Sequence, residues 1–422
     1  MTVTLKLFLC FQFVYSATGT ITSGARYDNY RLYELHPSAE RHIRLLKDVE
    51  ENSDSFIFLQ AATKVNASVA VVVAPHKFAD FDSILSTEDI THRIVTHDVQ
   101  SIIHEESLIQ SRVSDKFEWK KYYKLETIYK WLDSVVKRYP NVTSSISAGE
   151  SYQKRDIKGV KISYKNGNPG ILIEGGIHAR EWIAPAVATF LLNSLLTSDD
   201  PSIRNIAENF DWYIFPSVNP DGYVHSHTHN RLWRKTRKPY KNGSCFGADP
   251  NRNWGFHFGE AGVSKNPCSD IFSGPEAFSE IETESYSKYL TSLKDKIHTA
   301  ISFHSYSQLL LVPYGHTSKK PENFDDLMEI GRKAIKALAK RYNTKYDVGN
   351  IYDTIYPASG ASLEWIYGVL EIPLAFTYEL RPSSHSSGGF ELPTDQIIPT
   401  ALETVDSIVA LIGHAKTLGY YD

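Results

Sequence analysis

The sequence predicts an α/β fold in which helices cover both faces of a sheet, preceded by a smaller α/β unit. From about residue 117 to the end, near-continuous apolar segments alternate with longer helix-like segments. Strands of that composition are typical of sheets buried on both faces. Residues 20–112 carry a second, shorter alternation, and a chain of 422 residues is long enough for one large and one small domain.

The smaller unit contains four strand candidates and two helix candidates. The strand candidates are β-branched or aromatic segments at residues 30–35, 55–60, 67–74 and 91–98. Helix candidates at 39–51 and 78–85 carry apolar side chains at helical spacing. Residues 108–113 have the composition of an exposed linker. We therefore predict that the small domain ends near residue 112.

The larger unit alternates strands and helices to its end. Strand candidates occupy residues 159–164, 171–176, 211–218, 299–304 and 374–380. Helix candidates occupy residues 183–196, 279–293, 325–342 and 399–417. In sheets of this class the functional residues cluster where strands end in loops, so we examine those ends for reactive side chains.

The composition excludes several classes of protein. The chain is 42% hydrophobic and 22% charged, which is ordinary for a globular protein, and its net charge is −4. That charge argues against a dedicated nucleic-acid binder. The sequence has no apolar run of about 18 residues, so we expect no transmembrane helix and no membrane partner.

The N-terminus resembles a secretory signal. Lys6 precedes the largely apolar residues 7–15, and the small residues Ser16 and Ala17 follow. The alternative is a buried strand of an intracellular protein. Secretion would remove Cys10 and leave two cysteines, Cys245 and Cys268, to form a disulfide rather than remain free thiols. Glycosylation sequons that fit a secreted chain begin at Asn66, Asn141 and Asn242.

Two histidines and a carboxylate follow strand candidates in a pattern typical of a metal site. His178 and Glu181 stand three residues apart directly after the apolar stretch 171–177, and His304 ends the candidate 299–304. Imidazole nitrogens and carboxylate oxygens are typical zinc ligands, and a catalytic zinc leaves one position open. We therefore predict that these three residues bind Zn²⁺. Asp249 is either the acceptor that orients His178 or a simple turn residue.

A candidate general base stands at the end of a third strand candidate. Glu379 follows apolar residues, and a carboxylate there can take a proton from water and deliver it to a leaving amine. The alternative, a surface ion pair between Glu379 and Arg381, fits the apolar surroundings poorly. Arg234 and Arg252 can grip a carboxylate or stabilise an oxyanion, unless they are solvated surface residues.

These segments resemble the zinc metallocarboxypeptidases of the pancreatic carboxypeptidase A/B subfamily. The resemblance covers nearly the whole chain and is carried by His178-Ala179-Arg180-Glu181-Trp182, Asn219-Pro220-Asp221-Gly222-Tyr223, Asn230-Arg231-Leu232-Trp233-Arg234, Asn251-Arg252-Asn253-Trp254, His304-Ser305-Tyr306-Ser307-Gln308 and Glu379-Leu380-Arg381. It implies a signal at 1–17, an activation propeptide at 18–112 and a catalytic domain at 113–422. The implied fold is a mixed eight-stranded sheet between helices, preceded by an open α/β sandwich that covers the cleft until cleavage.

The resemblance also implies a role for each site residue. His178, Glu181 and His304 bind the zinc ion, Glu379 is the base, and Arg234 polarises the scissile carbonyl. The terminal carboxylate of the substrate is held by Asn251, Arg252 and Tyr356. Subsites around the cleft are lined by Arg180, Arg231 and Tyr306. Cys245 and Cys268 match the disulfide of the family.

The pocket for the terminal side chain predicts the specificity. Enzymes of the family that prefer Lys or Arg place an aspartate where this chain has Leu363. The apolar set completed by Ile351, Ile355, Ala358 and Thr377 lacks a carboxylate to compensate a buried cation, which costs several kcal/mol. We therefore predict an A-type preference for aromatic and aliphatic residues. The alternatives are B-type or broad specificity, and a non-catalytic peptide-binding relative.

Five further expectations concern partners, processing, location and oligomeric state. The expected partners are peptide or protein substrates with a free C-terminus, and proteinaceous inhibitors. A trypsin-like protease cuts after Arg112, with Lys116 as the second candidate and an unprocessed linker as the alternative. The protein is secreted, and we expect a monomer.

Overall fold

The computed structural model describes residues 24–52, 55–111, 116–385 and 388–421. The predicted signal segment 1–17 and the predicted cleavage residue Arg112 lie outside these residues.

The small domain is a four-stranded antiparallel sheet with helices. Its strands are β1 (Arg31–His36), β2 (Phe56–Gln60), β3 (Val69–Val73) and β4 (Thr91–Thr96), in the order β2-β3-β1-β4. Its helices are α1 (Glu40–Asn52), α2 (Phe78–Thr87) and α3 (Val99–Ser111). The four predicted strands and the first two predicted helices are confirmed.

Both faces of the small sheet are covered, which explains the uninterrupted apolar sequence of β3. Tyr33 and Val71 pack in one cluster with residues of α1 and α2. Leu32 and Val72 face the other way and pack in a cluster with Tyr306 of the large domain. The small domain therefore uses its second sheet face to dock on the large domain.

The linker predicted at residues 108–113 begins later than expected. Helix α3 continues to Ser111, so the first part of the predicted linker is helical. The apolar positions of α3 do not form one buried stripe, since Leu108 is exposed whereas Ile103 packs in the cluster between the domains. Tertiary contacts therefore stabilise this helix, although its sequence has no strong amphipathic pattern.

The large domain is built on a mixed eight-stranded sheet, as predicted. Its strands are β5 (Thr143–Glu150), β6 (Asp156–Ile162), β7 (Gly170–Gly175), β8 (Asp211–Phe215), β11 (Ile297–Ser305), β12 (Leu309–Val312), β13 (Asp347–Asn350) and β14 (Leu374–Leu380). Two short strands, β9 (Pro239–Tyr240) and β10 (Cys245–Phe246), form a separate ribbon. The order in the large sheet is β13-β12-β14-β11-β7-β8-β6-β5.

Helices lie on both faces of this sheet. They are α4 (Leu125–Arg138), α5 (Ile183–Thr197), α6 (Pro201–Asn209), α7 (Pro220–Thr228), α8 (Ile281–Thr291), α9 (Phe324–Tyr342), α10 (Ile351–Thr354), α11 (Ser362–Gly368) and α12 (Ile397–Thr417). Successive β7 residues point to opposite faces, so Ile171 and Ile173 join a core with α5 and α12, whereas Leu172 joins one with α8 and α11.

One described segment, Thr394–Thr417, is long and apolar enough to cross a membrane by length and composition. It contains α12, and 56% of its most apolar window is buried inside the protein. Its apolar residues Ala401, Ile408 and Leu411 belong to the core cluster that includes α5 and α9. In this fold the segment serves as a core helix of the large domain.

Candidate active site and metal centre

Three neighbouring parallel strands deliver the reactive side chains to one edge of the sheet. Strand β11 lies between β7 and β14 and runs parallel to both. His304 and Glu379 are register partners near the ends of β11 and β14. His178 and Glu181 follow β7, in the turn that leads into α5. Carboxyl ends of parallel strands meet at a common edge, which is why residues distant in sequence converge here.

A tight turn after β7 directs His178 into the site. Gly176 has a φ of +62°, and a Cβ atom placed there would lie 3.0 Å from the carbonyl oxygen of Pro216. A residue with a side chain would meet both backbone strain and this contact. The Gly175-Gly176 pair therefore permits the chain to reverse close to its neighbour before the histidine.

The two histidines and Glu181 bring their ligand atoms together in a buried space. His178 Nδ1 lies 2.7 Å from Glu181 Oε1 and 3.1 Å from His304 Nδ1. His304 Nδ1 lies 3.1 Å from Glu181 Oε2. All three side chains are buried, and their ligand atoms lie within 4.8 Å of one another.

This geometry fits a zinc ion. Facing lone pairs on nitrogen and carboxylate oxygen repel each other unless a proton or a cation lies between them. Zinc bonds of about 2.0–2.1 Å in tetrahedral geometry place neighbouring ligand atoms about 3.3 Å apart, close to the separations seen here. The predicted ligand residues are therefore brought together as a donor set suited to zinc.

Asp249 holds two site residues at once. Its Oδ1 accepts from His178 Nε2 at 3.2 Å, and its Oδ2 accepts from Arg234 Nε at 3.0 Å and from Nη2 at 2.8 Å. Because a carboxylate only accepts, His178 carries its proton on Nε2 and presents the Nδ1 lone pair to the metal position. Asp249 is completely buried, and its contact with His178 is the one predicted from the sequence.

The surroundings shift the pKa values of two ligands, His178 and Glu181, towards the forms that bind metal. Burial, followed by the charge of Arg234, lowers the pKa of His178 and favours the neutral imidazole. Burial opposes ionisation of Glu181, but the facing imidazoles outweigh it and hold the pKa of Glu181 below its ordinary value. Burial opposes protonation of the third ligand, His304, but the charge of Glu181 outweighs it and raises the pKa of His304. A neutral imidazole and an ionised carboxylate are the states in which these residues coordinate a cation.

Glu379 and Arg234 line the same cavity as His178 and Glu181. Burial raises the pKa of Glu379 to about 8 in the absence of a metal ion. Arg234 Nη1 lies 4.0 Å from Glu181 Oε1, while its other two nitrogens are held by Asp249. The alternative Glu379–Arg381 surface pair does not form, since Arg381 pairs with Glu403 at 2.7 Å.

A cavity beside the metal centre contains the residues predicted to bind the terminal residue of a substrate. Its lining includes Asn251, Arg252, Ile351, Ile355, Tyr356, Ala358, Leu363, Thr377 and Glu379, together with His178 and His304. Arg252 is fixed by bonds from Nε to Gly262 O at 2.9 Å and from Nη1 to Asn251 O at 2.8 Å. Its guanidinium lies 5.5 Å from the ring of Tyr356.

A second cavity joins the metal centre to the small domain. It is lined by Arg180, Glu181, Arg234, Tyr306 and Glu379, and also by Glu50 and residues 58–61 and 63 of the small domain. Two hydrogen bonds tie the small domain to helix α10 and its C-cap residue, from Lys64 Nζ to Asp353 O at 2.9 Å and from Thr63 Oγ1 to Ile355 O at 3.4 Å. The small domain therefore covers the cleft.

Arg231 is the predicted site residue that the structure places elsewhere. Its guanidinium is buried against α3 and forms a two-bond pair with Glu106, at 2.7 and 3.1 Å. It also lies 3.6 Å from the ring of Trp182. In this form of the protein Arg231 binds the small domain, and its role in a substrate subsite stays a prediction.

The predicted disulfide joins Cys245 to Cys268. It closes a loop close to the cleft, since Asp270, two residues further on, pairs with Arg180 at 2.9 Å. Sequence reasoning did not predict Asp270 as a cleft residue. Its position two residues after Cys268 is the signal in the sequence that could have indicated this role. Leu311, Ala361 and Ser362 also line the cavity beside the metal centre, and the last two directly precede the predicted residue Leu363.

Comparison with known proteins agrees with this geometry. The family described as "Zinc carboxypeptidase" matches residues 128–407, and the family "Carboxypeptidase activation peptide" matches residues 33–106. The chain is 51% identical to "Zinc carboxypeptidase A 1" of Drosophila melanogaster over 94% of each chain.

Two solved structures extend the comparison. The carboxypeptidase A of Helicoverpa armigera has a TM-score of 0.85 at 26% identity, covering 93% of this chain and 98% of its own. Bovine thrombin-activatable fibrinolysis inhibitor in complex with tick carboxypeptidase inhibitor has a TM-score of 0.66 at 32% identity, covering 71% and 99%. The chain belongs to the zinc carboxypeptidase family and is a metallocarboxypeptidase zymogen with that family's activation peptide.

Proposed function

We propose that this protein is the secreted zymogen of an A-type carboxypeptidase, which releases hydrophobic or aromatic residues from the C-terminus of peptides. The observation that carries the proposal is Leu363, whose side chain is 3% exposed and lines the cavity beside the metal centre. Among the described residues that line this cavity, Glu379 is the one carboxylate, and it belongs to the catalytic centre.

The energetics of this pocket favour an apolar occupant. An aromatic or aliphatic side chain gains about 25 cal/mol for each Å² of apolar surface that leaves water. A Lys or Arg side chain would place its charge against Leu363, Ile351 and Ile355 without a counter-ion and would lose several kcal/mol. The difference in transition-state binding is what decides which substrate is cleaved.

The residues around the metal position provide the remaining chemistry. When bound, zinc supplies Lewis acidity that polarises a carbonyl oxygen and lowers the pKa of water. Glu379 takes the proton as a water oxygen bonds to the carbonyl carbon, and delivers it to the amine when the C–N bond breaks. Arg234 donates hydrogen bonds to the carbonyl oxygen as negative charge develops there.

Recognition of the free carboxylate makes the reaction an exopeptidase reaction. Arg252 and Asn251 donate hydrogen bonds to the two carboxylate oxygens of the substrate. Tyr356, which follows helix α10, contacts the same carboxylate. A guanidinium held by Gly262 and by Asn251 is already oriented, so little side-chain entropy is lost on binding. Arg180, Tyr306 and, once α3 has left, Arg231 line the subsites for preceding residues.

Activation requires removal of the small domain. We propose that a trypsin-like protease cuts after Arg112, with Lys116 as the second candidate. Lys116 is exposed and pairs with Glu118 at 2.5 Å, at the start of the large domain.

Proteinaceous inhibitors would occupy the same cleft once it is open. The secreted monomer would carry glycans at the exposed residues Asn66, Asn141 and Asn242.

The experiment that tests the proposal measures amino-acid release from matched peptides ending in Phe, Leu, Lys or Arg. The protein is first treated with a limited amount of trypsin, and each assay is run with and without a zinc chelator. We expect chelator-sensitive release of Phe and Leu and little release of Lys or Arg. Full activity in the uncut protein would contradict the zymogen assignment.

The same assay separates the two alternatives. Release of Lys or Arg first would favour a B-type enzyme and would show that Leu363 does not line the specificity pocket. No release from any peptide, with zinc bound and the small domain removed, would favour a non-catalytic peptide-binding protein. The presence of His178, Glu181, His304 and Glu379 argues against that outcome.

A further inference from the structure

We propose that Glu174 is a positioning residue for recognition of the C-terminal residue, because it fixes both the floor of the specificity pocket and the side chain of Asn251. The inference rests on the proposed function, since it assigns the pocket around Leu363 to the terminal side chain. It concerns a carboxyl group that neither binds the metal nor faces the substrate.

Glu174 is the one acidic residue in strand β7. The strand reads Gly-Ile-Leu-Ile-Glu-Gly, and the Glu174 side chain is 1% exposed. Removing a carboxyl group from water costs several kcal/mol unless hydrogen bonds compensate it. A buried carboxyl in the strand that leads to the metal ligands is therefore expected to hold specific partners.

The partners of Glu174 belong to two different elements, strand β11 and helix α11. Its Oε1 accepts from Ser302 Oγ at 2.8 Å and from Ser362 Oγ at 2.6 Å. Ser302 is the register partner of Glu174 on β11. Ser362 is the first residue of α11 and directly precedes Leu363. One oxygen atom thus connects the central sheet to the helix that forms the pocket floor.

The start of α11 depends on these contacts. Its N-cap residue, Ala361, provides no side-chain cap. The Ser362 hydroxyl is bound to Glu174, and the Ser362 backbone N–H donates to Asn251 Oδ1 at 2.9 Å. Helix starts that lack a capping side chain leave backbone donors to be satisfied by other groups. Asn251 accepts from one of these backbone donors, and Glu174 holds the Ser362 side chain beside it.

The same contacts reach the carboxylate-binding residues. Asn251 is bound on one side by the N–H of Ser362 and, through its own N–H, to Asp249 Oδ1 at 2.8 Å. Loss of the Glu174–Ser362 bond would release Ser362 and, with it, both Leu363 and the Asn251 side chain. We therefore expect the binding of substrate to weaken without loss of the metal.

The second oxygen of Glu174 indicates which substitution is conservative. Oε2 is buried and faces the hydroxyl of the buried Tyr286, with which the carboxyl group interacts. In Glu174→Gln an amide nitrogen takes the place of Oε2 and can donate to the Tyr286 hydroxyl, while Oε1 keeps the bonds that it accepts from Ser302 and Ser362. Glu174→Gln should therefore retain function, whereas Glu174→Ala should not.

The test compares substitutions on the two sides of the carboxyl group. Ser362→Ala removes the hydroxyl that reaches the pocket, and Ser302→Ala removes the matched hydroxyl on the sheet side. Each trypsin-treated variant is assayed for kcat and KM on peptides ending in Phe, Leu or Ala, together with zinc content and melting temperature.

We expect Glu174→Ala and Ser362→Ala to raise KM for Phe and Leu peptides on the order of tenfold. In these two variants the preference for Phe over Ala peptides should fall, while zinc content and kcat are retained. Ser302→Ala and Glu174→Gln should have KM values and selectivity close to those of the unaltered protein. If Glu174→Ala does not fold, the test is the comparison of Ser362→Ala with Ser302→Ala.

Two results would overturn the inference. The first is an equal loss of kcat for all peptides in step with a lower melting temperature, which a purely structural role predicts. The second is an identical effect of Ser302→Ala and Ser362→Ala on selectivity. Failure of the proposed function is a separate result, because the unaltered protein would then prefer Lys or Arg.

Discussion

At the scale of single residues, the site combines ionised groups that are buried and mutually satisfied. Asp249 neutralises Arg234 and orients His178, so one carboxylate organises the electrostatic and the metal-binding parts of the centre. Water competes little for these bonds because His178, Glu181 and Asp249 are all buried. Hydrogen bonds to charged groups are strong in such surroundings.

Replacement of Glu379 tests its role as base. Glu379→Gln keeps the size of the side chain but cannot accept a proton, so we expect kcat to fall about 10²- to 10⁴-fold. Zinc content should be unchanged because Glu379 is not in the ligand set. Glu371→Gln is the matched control, since Glu371 is exposed and pairs with Lys294. Retained kcat in Glu379→Gln would assign the proton transfer to another group.

Replacement of Leu363 tests the origin of specificity. Leu363→Asp places a carboxylate in the apolar cavity, so release of Phe and Leu should fall about 10- to 100-fold and release of Lys and Arg should rise. Leu363→Met, which conserves volume and polarity, should keep the Phe preference. The measurement is kcat/KM for the four peptides. An unchanged ranking in Leu363→Asp would place the specificity determinant elsewhere.

At the scale of elements, α3 joins the two domains through a buried ion pair. Glu106 on α3 binds Arg231 in a two-bond arrangement, and Arg231 Nη1 also donates to Arg180 O at 2.8 Å. Removing one partner of such a pair leaves the other charge buried without compensation. The helix therefore contributes to the stability of the uncut protein although its amphipathic pattern is weak.

Replacement of Glu106 tests this contribution. Glu106→Ala leaves Arg231 unpaired, so we expect the uncut protein to lose about 3–5 kcal/mol of unfolding free energy. It should also release the small domain faster after proteolysis. The neighbouring substitution Glu105→Ala is the control, because Glu105 is exposed. Equal denaturation midpoints for the two variants would mean that the pair contributes nothing net.

At the scale of the whole molecule, the small domain places a carboxyl group, that of Glu50, in the covered cleft. Glu50 lines the same cavity as Arg234, Arg180 and Asp270. Burial, followed by the charge of Asp270, raises the pKa of Glu50 from 4.5 to about 8. Docking of the small domain is therefore linked to protonation of this group.

The sign of this linkage predicts how pH affects docking. Between its free and docked pKa values Glu50 holds a proton when docked and has lost it when free, so docking takes up a proton and weakens as pH rises. In trypsin-nicked protein the affinity of the small domain should fall by up to about tenfold per pH unit between about pH 5 and 8. Size-exclusion chromatography at several pH values measures the dissociation.

Glu50→Gln should flatten that dependence and hold the small domain more firmly at high pH. Glu51→Gln is the control, since the Glu51 side chain is exposed. A slope that remains in Glu50→Gln would assign the pH dependence to other interface groups.

The sequence by itself determined the chemistry of the centre and the central strands of the sheet. The reactive residues can be recognised in the sequence because each follows or ends an apolar strand; they are His178, Glu181, His304 and Glu379. The carboxyl ends of parallel strands meet at one edge of the sheet irrespective of loop conformation. The motifs around them also predicted the ligand role and the disulfide, and the disulfide is present in the structure. The local hydrophobic pattern was sufficient to predict a strand where that strand is buried on both faces.

Tertiary structure alone decided the rest. Strands β12 and β13 have four residues each, too short for a periodic signal, and they exist because they pair beside β14 and beside each other. Arg231 was predicted at a subsite, but α3 brings Glu106 to it across 125 positions of sequence. The bond between Glu174 and Ser362 spans 188 positions. Such partners are chosen by packing and by compensation of buried charge, which local sequence does not encode.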